Sequence, residues 1–153
     1  MINAVQPVSG LQFLDLGTST GLYARALLDA GAAQVYALDL SPAMLKVALQ
    51  KAKGYPGFVP LLAWAEAIPL PEASVGGVVG GSWNEFPNPQ VVIGEMYRVL
   101  KPGGRLWIIF SHRSDSPIQR VLEWTGLRFP ALPGLMDSLS KSGFKVDAGG
   151  KDR

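Results

Sequence analysis

Two aspartates that each close an apolar run are the residues best placed for chemistry in this sequence: Asp15-Leu16-Gly17-Thr18-Ser19-Thr20-Gly21 and Asp39-Leu40-Ser41-Pro42. A glycine-rich turn that opens a helix lets a ligand approach the backbone while free N–H groups face it. An acid two residues ahead of Gly17 repels a pyrophosphate and suits an ammonium group. The loop also misses the GxGxxG spacing of dinucleotide sites, because the last glycine position falls on Leu22, and no Lys-Ser/Thr pair follows it as in a P-loop. Asp39 stands where a carboxylate can accept two hydrogen bonds from a ribose diol. A plain strand-to-helix loop and a simple N-cap contact in DLSP are the bland readings of the two segments. Together they describe a nucleoside ligand with a positive head, and S-adenosylmethionine has both parts.

Three further segments fall at strand ends: Ala63-Trp64-Ala65-Glu66, Gly81-Ser82-Trp83-Asn84-Glu85 and Ser111-His112-Arg113. Glu85 is a candidate general base, with a solvated loop carboxylate as the alternative. His112 is the only imidazole and has no identified partner. Trp64 and Trp83 suit core or rim packing. With no Cys and 1 His, disulfides, thiolate zinc sites, iron–sulfur clusters and cysteine nucleophiles are excluded and histidine-rich metal sites are not expected.

These groups need elements to position them. Apolar runs over 12–16, 33–40, 58–63, 74–81 and 105–110 predict strands, the third weakened by Pro60 and therefore short or near a sheet edge. Helical spacing follows over 22–30, with Gly31 as its C-terminal stop, over 42–54 after the Ser41 cap, and over 90–100 before Lys101-Pro102-Gly103-Gly104. Beyond lie expected helices over 117–126 and 135–142, the second ended by Gly143, and a short strand over 144–146. The strands are apolar along their whole length, as when helices cover both faces. The fold expected is α/β: a three-layer, doubly wound, Rossmann-like sheet, mostly parallel, with a shortened C-terminal end.

At 153 residues, 48% hydrophobic and 17% charged, the chain suits a single domain over 1–153 with a sizeable core. Residues 1–97 hold 4 basic and 7 acidic side chains, residues 98–153 hold 10 and 5. The basic residues are scattered, with no run interleaved with aromatics, so no nucleic-acid partner is expected and an RNA-associated enzyme is the weakest alternative. No apolar stretch reaches the roughly 18 residues of a membrane span, and MINAVQPVSG lacks the features of a signal peptide, so a soluble cytoplasmic protein is expected.

LDLGTSTG, VYALDLSPAML, AEAIPLP and EMYRVLKPGGRL, in that order across residues 11–110, resemble the successive signatures of class I S-adenosylmethionine-dependent methyltransferases. The similarity is to the small-molecule type that includes ubiquinone and menaquinone biosynthesis enzymes. It implies that the loop from Asp15 through Gly17, Thr18 and Ser19 to Gly21 passes under the methionine moiety, with Asp15 serving the amino group through water. It implies that Asp39 binds the ribose, Leu40 and Met44 pack near the adenine, and Trp64 and Ala65 flank its edge, with the Ala65 N–H a donor to the ring. Ser82 joins this cofactor set, and KPGG is a structural turn.

The sequence departs from the family pattern at four places. Ser19 replaces the usual middle glycine, which is tolerable if its φ stays negative but adds a side chain close to the cofactor. Trp64 stands where an Asp commonly accepts from the adenine amino group, and could stack on the ring instead. Gly76 replaces an acid, and Asn84-Glu85 replaces a frequent His pair. The segment NEFP lacks the Asn/Asp-Pro-Pro-aromatic element of nucleobase-amine methyltransferases. The expected activity is methyl transfer to a small-molecule acceptor. The alternative is a degenerate scaffold or partner protein with weak or no cofactor binding. Against this family the chain is short: either another chain, such as a second copy, completes the sheet and acceptor site, or the domain is trimmed.

Overall fold

A computed structural model describes residues 5–81, 83–109, 118, 122–124, 127, 129 and 131–146. β1 (Gln12–Leu16), α1 (Leu22–Asp29), β2 (Gln34–Asp39), α2 (Pro42–Lys51) and β3 (Phe58–Leu62) run as alternating strand and helix. β4 (Val75–Gly80), a 3₁₀ turn (Trp83–Glu85), α3 (Pro89–Val99), β5 (Leu100–Ile108) and α4 (Leu132–Lys141) follow. The strands form one sheet in the order β3-β2-β1-β4-β5, and every neighbouring pair is parallel. The chain therefore winds outward from β1 to β3, returns, and continues on the other side from β4. The strand order reverses between β1 and β4, and the carboxyl ends of such strands border the ligand crevice of open α/β sheets.

Successive residues of a strand point to opposite faces, so a strand buried on both sides needs apolar side chains at consecutive positions. Phe13, Val35, Ala37 and Val79 pack with Ala24 and Leu27 of α1 and Ala48 of α2. Leu14, Leu16, Leu38 and Val78 pack on the opposite face with Val92, Ile93, Met96 and Val99 of α3 and Leu135 of α4. Three layers result, as the unbroken apolar runs require. Gly77 of β4 makes room for this: a Cβ there would lie 2.2 Å from the Phe13 ring. Pro60 sits in β3 at the sheet edge, the position left to a residue without an N–H.

Several expectations about element bounds change: α2 ends at Lys51 and not at 54, and α4 begins at Leu132 and not at 135. The segment over 144–146 is not a strand, because it completes the end of α4 instead. Gly143, at φ 96°, donates its N–H to Ser140 O at 3.1 Å, and Phe144 donates to Leu139 O at 3.1 Å, the paired bonds of a Schellman stop. The Phe144 ring then packs edge-on against Tyr97 of α3, with centroids 5.2 Å apart. β5 begins at Leu100 and not at 105: Val75 pairs with Leu100 and Gly77 with Arg105, so Lys101-Pro102-Gly103-Gly104 is a bulge inside the strand. It also ends at Ile108 and not at 110, residue 110 lying outside the described residues. Most of the helix expected over 117–126 also lies outside them. Among the described residues no helix is long and apolar enough to cross a membrane.

Candidate functional site

The loop after β1 is built by a carboxylate that reaches across it. α1 has Gly21 at its N-cap, at φ 75°, and Gly21 has no side chain to cap with. Asp15 does that work from the strand: its Oδ2 accepts from Ala24 N–H at 3.0 Å and from Thr18 Oγ1 at 2.6 Å. An anion at a helix N-terminus is favourable, and here it also pins the loop. Asp15 is fully buried, and burial pushes its carboxyl up to about 6 despite the Thr18 and Ala24 bonds, with the charge of Asp39 adding to the rise. Its Oδ1 has no hydrogen-bond partner among the described residues. Asp15 is thus first a helix cap, with one oxygen left over.

Asp39, at the end of β2, holds the same loop from the other side. Its Oδ2 accepts from Ser19 N–H at 2.7 Å and its Oδ1 from Ser41 N–H at 2.8 Å. The local contact within DLSP is therefore made, while Ser41 Oγ caps α2 by accepting from Met44 N–H at 3.3 Å. A carboxylate has about four lone-pair sites, so each oxygen of Asp39 keeps acceptor capacity.

Ser19 departs from expectation. Its φ is 51°, in the left-handed region, because the loop must turn its N–H onto Asp39. Its hydroxyl lies 3.8 Å from Met44 Sδ. A non-glycine residue held there costs about 1 kcal/mol. Ser19→Gly is expected to raise stability by up to that amount in a urea titration; a loss of stability would show that the Met44 contact outweighs the backbone strain.

Gly17, Leu38, Asp39, Leu40, Ala63, Trp64, Ala65, Glu66, Glu85, Phe86 and Pro87 line one cleft of about 180 Å³. That is below the usual range of about 300–1,000 Å³ for small-molecule pockets, and Leu40 and Trp64 in its wall are exposed. Of the expected site residues, Gly17, Asp39, Leu40, Trp64, Ala65 and Glu85 meet in this cleft. Asp15 at the end of β1, and Thr18 and Gly21 in the loop that follows, are not among its lining residues, and Ser19 and Met44 touch each other beside Asp39. Ser82 and His112 lie outside the described residues.

Sequence reasoning gave Leu38, Phe86 and Pro87 no role, and placed Ala63 and Glu66 in a strand-end segment without assigning them one. Glu66 follows Trp64 at the carboxyl end of β3, so the strand-end rule that selected its neighbours extends to it. Phe86 and Pro87 follow the turn after β4, and only the crossing between β1 and β4 brings them opposite Gly17. In that turn Trp83 is buried and meets Phe86 edge-on at 6.0 Å, which fixes the backbone that carries Glu85.

Residues 14–108 match the family model described as a methyltransferase domain. The chain is 39% identical over 115 residues to an uncharacterised methyltransferase of Mycobacterium tuberculosis, covering 74% of this chain and 45% of that protein. It is 32% identical over 144 residues to a demethylmenaquinone methyltransferase of Renibacterium salmoninarum, covering 93% of this chain and 58% of the relative. The chain thus spans about half the length of these curated relatives. Its fold superposes on a crystal structure of an S-adenosylmethionine-dependent methyltransferase from Mesorhizobium loti with a TM-score of 0.81, at 24% identity over 95% of this chain and 80% of that one. With the family match covering more than half of its residues, and with the glycine loop, Asp39 and the β1–β4 crevice in one place, this chain belongs to the methyltransferase domain family.

Proposed function

We propose that this chain binds S-adenosylmethionine in the cleft above Gly17 and provides the donor half of a methyltransferase for a small-molecule acceptor. The observation that carries this reading is Asp39: a carboxylate at the end of β2 lines the cleft together with the β1 loop, with acceptor capacity left for a ribose diol. Two further features fit the donor's chemistry. The ionisable groups that line the cleft among the described residues are all acids, which suits a cation, and the buried Asp15 Oδ1 lacks a partner. Leu40, Trp64 and Ala65 supply an apolar flank for a purine.

When bound, the sulfonium supplies an activated methyl group. The protein's work is to align an acceptor in line with the breaking bond and exclude water. Glu85 lines the cleft and could take a proton from an acceptor that must lose one.

Calorimetry with S-adenosylhomocysteine tests this. The expected result is micromolar binding that weakens at least tenfold in Asp39→Ala, the range of a lost hydrogen bond to a charged group. No heat at millimolar ligand would overturn the reading and leave the scaffold alternative.

A further inference from the structure

We propose that Glu85 is a charge-selecting residue: it makes the cleft hold the sulfonium form of the nucleoside more tightly than the neutral thioether that remains after transfer. The proposal rests on the cofactor reading above. Asp39, Glu66 and Glu85 are the ionisable side chains lining the cleft among the described residues, with no Lys, Arg or His beside them. Their placements differ. Asp39 is engaged by two backbone N–H groups, whose dipoles offset part of its charge. Glu66 follows β3, on the sheet edge, and so stands on the side of the cleft where Trp64 and Leu40 form the apolar flank. Glu85 comes from the opposite side, on the turn after β4, the strand that pairs directly with β1 and its Gly17 loop.

That position puts Glu85 across from the loop expected to carry the methionine end of the ligand. Its backbone is fixed by buried Trp83 and Phe86 on either side, while the carboxylate itself is exposed and has no ion-pair partner among the described residues. Methyl transfer breaks the S–CH₃ bond with its electron pair staying on sulfur, forms a bond from the acceptor's lone pair to the methyl carbon, and releases a proton where the acceptor carries one. The sulfur centre therefore loses its positive charge in the reaction. A carboxylate lining the cleft that receives that centre distinguishes the two charge states on the order of tenfold. Donor is held and product is released by the same side chain.

Calorimetry on the whole chain at low and high salt tests this with three probes: S-adenosylmethionine, S-adenosylhomocysteine, and the donor analogue in which a protonated amine replaces the sulfonium. Both cationic probes are expected to bind about tenfold more tightly than the thioether, with the gap narrowing at high salt. In Glu85→Gln the gap is expected to fall to within about threefold while thioether affinity stays unchanged, which also reports an intact fold. Glu66→Gln is expected to change the gap less. Equal or tighter binding of the thioether to the unaltered protein, or a gap that survives in Glu85→Gln, would overturn the proposal. A role for Glu85 only as a base would shift the pH profile of transfer and leave the gap intact, which counts against selection by charge. Failure of all three probes together would overturn the cofactor reading and this proposal with it, an outcome distinct from loss of the gap alone.

Discussion

Asp15→Asn is expected to unfold at a higher temperature than the unaltered protein at pH 8, by at most an amount equivalent to about 3 kcal/mol, and to lose that advantage below about pH 4. The folded carboxyl is raised from 3.8 to about 6, first of all by burial. The folded state therefore holds the proton more tightly than the unfolded chain. Asp15's contribution is most favourable below its ordinary value, weakens as pH rises through about 6, and is constant above that. Asparagine keeps an oxygen for Thr18 and Ala24 and removes the buried charge, while its amide NH₂ takes the Oδ1 position and offsets part of the gain.

The same substitution is expected to weaken binding of a cationic nucleoside at pH 8. The ionised carboxylate with an unpaired oxygen is a destabilising charge that such a ligand can neutralise, a trade of stability for binding often found at functional sites. Thermal scans and calorimetry across pH 4 to 8 check both effects. Equal destabilisation of the variant at every pH would mean that the geometry of the cap, and not the charge, dominates.

Arg98→Ala is expected to lower stability by about 2–3 kcal/mol in urea unfolding. Arg98 donates to Glu95 Oε1 at 2.7 Å and Oε2 at 2.8 Å, to Leu70 O at 2.8 Å and to Ile68 O at 2.9 Å, while Ile68 N–H donates back to Glu95 at 2.8 Å. One guanidinium thus fastens α3 to the connection between β3 and β4. Removing it leaves a half-buried carboxylate without its cation and the Leu70 carbonyl without the Arg98 donor, while Ile68 O keeps the Leu70 N–H at 2.8 Å. Arg98 is partly exposed, so solvent screening keeps the loss below that of a fully buried pair. Lysine is expected to restore little, because it lacks the planar fork.

Hydrogen bonding from Arg98 also holds the Glu95 carboxyl below its usual range. The pair's contribution is therefore full at neutral pH and fades as pH falls through that lowered value, and the variant should lose this acid sensitivity. Unchanged acid unfolding in Arg98→Ala would show that the pair is not the source. Because Trp64, Ala65 and Glu66 lie just ahead of the clamped residues, the variant is also expected to weaken binding in the cleft.

The sequence by itself determined the elements and the near side of the site. Consecutive apolar residues such as Phe13-Leu14 and Val78-Val79 can be buried only between two helical layers, and Gly31, Ser41-Pro42 and Gly143 mark helix ends through backbone geometry and capping that depend on neighbours in the chain. Pro60 placed β3 at an edge for the same local reason. Asp15, Gly17 and Asp39 were legible because each closes or follows a strand.

Tertiary structure decided what depends on contacts between distant segments. Asp15 acts as the cap of α1 because folding brings Ala24 to its carboxylate, and Ser19 takes a positive φ because Asp39, 20 residues away in sequence, accepts its N–H. The residues over 144–146 close α4 instead of extending the sheet, since their N–H groups and ring find partners on α4 and α3. Glu66, Glu85, Phe86 and Pro87 join one cleft only because the strand order reverses between β1 and β4. Local geometry can be read from spacing along the chain, whereas the partner of a side chain is set by the packing of elements that the sequence places far apart.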